Sequence, residues 1–216
     1  ARQVCLYEGH LFSLINPYEW LNQSWTKHQE IAPHIVQLIE FFNSSSNFVI
    51  QEICKHQLIQ DRASIILKFL EILYYLRELN NFNACQAILS ALNSAPIHRL
   101  HISWWKVKST RKGKKLYAFF EEMCQLFSRD GAASLLRKAQ KKARPPKIPY
   151  FGLYMTDLTF IEDGNPKYLS VETETEEDVI NVDRMRKVST VVQEVTVYQQ
   201  EIYEFRPVSV IQDFLN

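Results

Sequence analysis

Ile65, Ile66, Phe69, Leu70, Leu73, Leu76 and Leu79 return with the near-helical period that places them on one face of an α-helix. Asp61 stands where an N-cap would, and Asn80-Asn81-Phe82-Asn83 breaks the pattern. Ala84, Ala87, Ile88, Ala91 and Leu92 then outline a second helix, which Asn93-Ser94-Ala95-Pro96 stops. Upstream, Val4, Leu6, Leu11, Phe12 and Ile15 predict an amphipathic helix over 3–15, and Pro17 opens a short segment running to Trp25. Between Ile31 and Cys54 the polar Asn43-Ser44-Ser45-Ser46-Asn47 interrupts the apolar positions, which predicts either two helices or one broken helix.

The last third of the chain is patterned differently. From Ile148 to Pro166 a helical stretch carries Thr156, Thr159 and Asp163 along a single face, before Gly164-Asn165-Pro166 ends it. Met185, Val188, Val191, Val192, Val195 and Tyr198 outline a final amphipathic helix, and Glu172 to Asp178 between the two reads as a solvated acidic loop. Two helices flanking such a loop can pair as an antiparallel hairpin. The expected fold is therefore all-α. The 216 residues are 46% hydrophobic, enough core for one domain, and five Gly and eight Pro are few for a β-rich chain.

No apolar run is long and uncharged enough to span a bilayer. Ala1-Arg2-Gln3 shows neither an initiator Met nor a signal-peptide pattern, so a domain excised from a longer protein is expected. Cys5, Cys54, Cys85 and Cys124 lack zinc-site spacing, which points to reduced, buried thiols in an intracellular protein. Asn22-Gln23-Ser24 and Asn43-Ser44-Ser45 match the glycosylation pattern, a match too short to carry weight.

Charge changes the picture more. Between Lys106 and Lys147 there are 13 Lys or Arg against Glu121, Glu122 and Asp130, a balance of +10, while Asp157 to Asp178 is strongly acidic. A solvated helical face accounts for the basic stretch; binding of phosphate from lipid or nucleic acid is the alternative. Trp104-Trp105 beside it reads as core rather than as a base-stacking platform. His98 and His101 suggest no third metal ligand and read as surface or capping residues. The chain lacks Gly-Xaa-Ser-Xaa-Gly, a phosphate loop with Lys-Ser or Lys-Thr, and His-Glu-Xaa-Xaa-His.

Three long words occur in order: Arg77-Glu78-Leu79-Asn80-Asn81-Phe82-Asn83, then Ser90-Ala91-Leu92-Asn93-Ser94-Ala95-Pro96-Ile97-His98-Arg99-Leu100, then Ile148 to Pro166. Together they resemble the catalytic domain of Ras-type guanine-nucleotide exchange factors. The resemblance runs from Ala1-Arg2-Gln3 to Ile211-Gln212-Asp213-Phe214-Leu215 and so covers practically all of residues 1–216. It implies a single all-α, bowl-shaped domain with a protruding helical hairpin at about 150–190, without the amino-terminal helical module that often accompanies it.

The resemblance further implies a GTPase of the Ras subfamily, Ras or Rap, as partner, with the hairpin prying open its nucleotide site and no covalent chemistry. By position, Thr159 would approach the GTPase's magnesium site and Asp163 its phosphate-binding loop, the two exchange-determining residues. Asn93 would support the contact surface, Thr156 and Asn165 would lie near the partner, and Tyr150 would pack against the hairpin base. No cofactor, metal or nucleic acid is implied; a cytoplasmic monomer recruited to the inner face of a membrane is. The sequence departs from frequent family choices at Thr159, where some members carry a larger aliphatic residue, at Asp163, where many carry Glu, and at Asn181-Val182, where Asn-Phe is common. These departures bear on rate and GTPase choice. A catalytically silent GTPase-binding scaffold is the second reading, and a binder of anionic membranes or nucleic acid through 106–147 the third.

Overall fold

A computed structural model describes residues 1–170 and 178–215. Among them the chain forms twelve α-helices and one two-stranded ribbon, so the fold is all-α. The predicted acidic loop from Glu172 onward lies outside the described residues as far as Glu177.

Helix α1 (Arg2–Leu14) is followed by a 3-10 turn at Pro17–Trp20 and the short α2 (Ser24–Lys27). Glu19 fastens that turn to the next long helix. Its carboxylate accepts bonds from the backbone N–H groups of Asn16 at 3.0 Å, His34 at 2.9 Å and Ile35 at 3.3 Å, and meets His34 Nδ1 at 2.7 Å. Burial pushes the Glu19 pKa up, but these bonds outweigh it and the net shift is downward.

The segment from 31 to 54 resolves into one uninterrupted helix, α3 (Pro33–Cys54). Its polar centre does not break it because Asn43, Ser44 and Asn47 point to solvent while Leu38, Phe41, Val49 and Ile53 line the opposite, buried face. α4 (Ile59–Glu78) begins before Asp61, which therefore sits in the first turn as a charge facing the helix dipole rather than as the cap. α5 (Phe82–Leu92) is central. Nine of its eleven residues are buried, and Ala84, Ala87 and Ala91 let α3 and α4 approach closely.

Pro96 does more than stop α5, since it sits in the first turn of a new short helix, α6 (Ala95–His98). α7 (His101–Lys108) and α8 (Arg111–Leu126) pack beside α4 and are joined by a tight corner. There a Cβ on Gly113 would come within 1.8 Å of the Val107 carbonyl oxygen, so the corner admits only glycine. α9 (Asp130–Lys142) leads to the hairpin, which consists of α10 (Phe151–Gly164), strands β1 (Tyr168–Ser170) and β2 (Asp178–Ile180), and α11 (Val182–Val197). The strands are antiparallel, with Tyr168 opposite Ile180 and Leu169 opposite Val179. α11 is not the last helix: α12 (Ser209–Leu215) returns to α1, where Gln212 Nε2 donates to Gln3 O at 3.0 Å.

The four cysteines are free, with Cys5 and Cys85 buried, Cys124 half-buried and Cys54 exposed, so the expected burial holds for Cys5 and Cys85, in part for Cys124 and not for Cys54. Among the described residues no helix is long and apolar enough to cross a membrane.

Candidate functional site

The hairpin stands on a small backbone junction. Asn80 takes a left-handed conformation (φ 56°), which turns the chain out of α4 and lets Phe82 N–H donate to Ile148 O at 2.8 Å while Ile148 N–H donates to Asn80 O at 3.1 Å. Asn81 caps α5 by accepting from Ala84 N–H at 2.9 Å. Beneath this junction lies a buried carboxylate. Glu8 of α1 accepts from Asn81 Nδ2 and Asn83 Nδ2, each at 2.6 Å, and burial raises its pKa to about 7 despite those two bonds.

Tyr150 stands just before α10, at the base of the hairpin. Its N–H donates to Gln140 Oε1 at 2.6 Å and its ring lies 6.3 Å from Phe42 and 6.4 Å from Phe127. Burial raises its phenol pKa. The ring borders an apolar cleft of about 230 Å³ at the foot of the hairpin, lined also by Ile35, Phe42, Phe151 and Met155.

α10 buries Phe151, Tyr154 and Leu158 and turns its other side outward. Thr156 and Asp163 are exposed and Thr159 is half-buried, so the three predicted residues share an accessible ridge. Thr156 Oγ1 donates back to Gly152 O at 2.6 Å. Phe160, which the sequence reading passed over, stands 73% exposed beside them. Pro166 excludes a helical Asn165, whose φ of −135° and ψ of 118° end the helix, and Asn165 Nδ2 caps the Ile161 carbonyl at 2.7 Å.

Three further sets of contacts fix this arm. Arg137 of α9 grips Asp157 with two bonds, Nη1 to Oδ2 at 2.7 Å and Nη2 to Oδ1 at 2.8 Å. Asn181 caps α11 by accepting from Arg184 N–H at 3.0 Å and also donates through Nδ2 to Pro166 O at 3.0 Å, which joins the start of one arm to the end of the other. Near the end of α10, Glu162 accepts from Asn22 N–H at 2.8 Å and lies 3.6 Å from Arg184, while Asp163 Oδ1 accepts from Gln23 Nε2 at 2.7 Å. Asn22 and Gln23 are both left-handed, with φ of 57° and 53°, a turn that presents one backbone and one side-chain donor to neighbouring carboxylates.

Asn93 stands apart from the ridge, at the C-terminal end of α5, where Nδ2 meets Cys124 Sγ at 3.4 Å. Burial pushes the Cys124 thiol up, partly offset by that bond. Between the hairpin base and Asn93, α5 carries Asn83, Gln86, Ser90 and Asn93 at helical spacing as one polar stripe on an otherwise buried helix. Gln86 Nε2 donates to Ser90 Oγ at 3.2 Å. The complement of the Ala84, Ala87, Ala91 pattern could have disclosed Gln86 and Ser90; nothing in the local sequence marks Gln23 as a neighbour of Asp163.

The paired histidines face each other edge-on, with ring centroids 6.1 Å apart, and among the described residues no three ligating side chains gather for a metal. Trp104 is buried and Trp105 exposed, so the core expectation holds for one of the two.

The RasGEF domain family profile matches residues 1–186. Mouse Ras-specific guanine nucleotide-releasing factor 1 is 34% identical over 209 residues, 96% of this chain and 16% of that protein. Rat Ras-specific guanine nucleotide-releasing factor 2 is 35% identical over 205 residues, 94% of the chain and 16% of the relative. Ras guanine nucleotide exchange factor Y of Dictyostelium discoideum is 34% identical over 217 residues, covering 100% of the chain and 14% of the relative. The chain thus spans only a small part of the length of these curated relatives.

Proposed function

Because the chain belongs to the RasGEF domain family, we propose that it promotes GDP release from a Ras-subfamily GTPase, Ras or Rap, by inserting the α10–α11 hairpin into the nucleotide site. The observation that carries this reading is the outward ridge of Thr156, Thr159 and Asp163 on an arm fastened at its base, at Asp157 and near its end. A ridge held this way reaches its partner with little entropy left to lose.

Thr159 enters near the magnesium site and Asp163 meets the phosphate-binding loop, where its carboxylate competes with phosphate oxygens for the same donors. Two like charges repel by about 4 kcal/mol at ~4 Å and an effective dielectric of ~20, enough to weaken nucleotide affinity by orders of magnitude. Thr156 and Asn165 border the insertion, and Phe160 adds apolar contact area to it. The mobile switch segments of the GTPase lie along α5, with an apolar side chain seated in the cleft beside Tyr150 and polar groups meeting Gln86, Ser90 and Asn93. Linkage requires that a factor which weakens GDP binding bind the nucleotide-free GTPase more tightly by the same amount. Exchange on this scheme needs no cofactor and no covalent step, and proceeds in the cytoplasm with the domain as a monomer.

Fluorescent-GDP release from Ras, Rap and Ral, each with this domain added, tests the reading. Acceleration for Ras or Rap is expected, and Asp163→Ala or Asn93→Ala should slow it by about tenfold or more, equivalent to ~1.4 kcal/mol of transition-state binding, with unchanged helical circular dichroism. Unchanged rates in both variants would remove these residues from their roles. Binding without acceleration for any GTPase would establish the scaffold reading instead.

A further inference from the structure

The two adjacent tryptophans face opposite ways, and the outward one has no role in the hairpin scheme. Trp104 Nε1 donates to Ile97 O at 3.0 Å and its ring stacks on Phe120, with centroids 5.6 Å apart and planes at 21°. Those contacts fix the rotation of α7 about its axis and turn the next residue out. Trp105 is 67% exposed, and Ile102, three residues earlier on the same face, is 63% exposed.

A third exposed apolar side chain follows the turn that packs on the start of α7. Arg62 of α4 donates through Nε to Ser103 Oγ at 3.2 Å and through Nη1 to His56 O and Gln57 O, both at 2.9 Å, so one guanidinium draws the turn before α4 against the start of α7. Leu58, the residue that follows that turn, is 67% exposed. The chain beside this face is wholly cationic. From Lys106 to Phe120 there are six Lys or Arg and no carboxylate, and among the described residues only Lys112 of the six is engaged in an ion pair, with Glu71.

We propose that the α7 face bearing Ile102 and Trp105, with the basic α7–α8 corner beside it, docks on an anionic lipid surface. Tryptophan settles at the boundary between headgroups and acyl chains, isoleucine and leucine enter the apolar side of that boundary, and lysines at the rim pair with acidic headgroups. A nucleic-acid surface would need successive aromatic platforms along a groove, whereas this face has one exposed ring beside an aliphatic side chain. The proposal does not depend on the exchange reaction, because it uses none of the hairpin residues.

Tryptophan fluorescence gives a local readout. Trp20, Trp25 and Trp104 are buried, at 1%, 7% and 8% exposure, so a change on vesicle binding reports Trp105. With vesicles of phosphatidylcholine and phosphatidylserine, a blue shift and quenching by lipids brominated in the acyl chains are expected. Pure phosphatidylcholine vesicles should bind far more weakly, and raising the salt should release the protein. The double substitution Trp105→Ala with Ile102→Ala should reduce co-sedimentation with the anionic vesicles by at least about tenfold, and Lys106→Glu by about fivefold or more. Thermal unfolding should be unchanged in both variants, since all three side chains are exposed. Failure to bind anionic vesicles, or equal binding by the double variant, overturns the proposal. So does binding of single-stranded RNA that these substitutions abolish while vesicles remain unbound, which would mark the surface as one for nucleic acid.

Discussion

Asp163 ends the exposed ridge of α10, yet its carboxylate is already oriented, because Gln23 Nε2 holds Oδ1 at 2.7 Å from a position 140 residues earlier in the chain. A single hydrogen bond of this kind contributes about 1 kcal/mol, small for stability but sufficient to favour one rotamer. Tyr150 is set with less freedom. A Cβ on Gly152 would fall 2.4 Å from both the Cζ and the hydroxyl oxygen of Tyr150, while Phe42 and Phe127 confine the ring from other sides. Gly152→Ala should therefore expel the ring from its place at a cost of about 1–3 kcal/mol, measurable by chemical denaturation. Because the ring borders the cleft proposed to seat the GTPase, the same substitution should raise the KM of exchange. An unchanged KM in a folded Gly152→Ala protein would mean that the cleft is not part of the contact. The two residues also differ in legibility: Tyr150 belongs to a continuous stretch that could be compared as a word, whereas the Gln23 contact exists only once the fold has closed.

The hairpin is an element whose position depends on its neighbours, and the lateral brace from α9 is the clearest case. Arg137 and Asp157 meet through two short parallel bonds, and their side chains are 39% and 28% exposed, so water screens the pair substantially. The pair raises the already high Arg137 pKa mainly through its bonds to Asp157, leaving Arg137 cationic at all accessible pH values. A double-mutant cycle with Arg137→Ala and Asp157→Ala should give a coupling of about 0.5–1 kcal/mol in stability. The effect on exchange should be larger than on folding, since a tilted arm misplaces Thr159 and Asp163 together. Equal, small effects on both would show that the brace does not direct the arm. Helical periodicity made α4, α5, α10 and α11 readable, because each buries one continuous face. It misjudged α3, where a run of Asn and Ser signals a break locally while burial of Phe41 and Val49 on the opposite face keeps the helix intact. β1 and β2 went unseen since three-residue strands leave no period to detect.

At the scale of the whole molecule, α1, the α4–α5 turn and the hairpin base meet at one buried charge. Glu8 is 1% exposed, and its bonds to Asn81 and Asn83 tie the first helix to the junction on which Ile148 rests. Burial places its folded-state pKa at about 7, against 4.5 for an exposed carboxyl group. Between those two values the native state binds the extra proton, so stability attributable to Glu8 is fully present below about pH 4.5 and is lost as pH rises to about 7. The separation of the two pKa values corresponds to on the order of 3 kcal/mol at most. For a chain of this size that is a fall of several degrees in Tm. Thermal melts at about pH 5.5 and pH 8 should therefore show the protein more stable at the lower value as far as Glu8 is concerned. Glu8→Gln should remove that part of the dependence. Every other group is common to both proteins, so the difference between the two profiles isolates Glu8. Parallel profiles would show that Glu8 does not carry the proton, and that the charge at the hairpin base is stabilised by its two asparagine donors throughout.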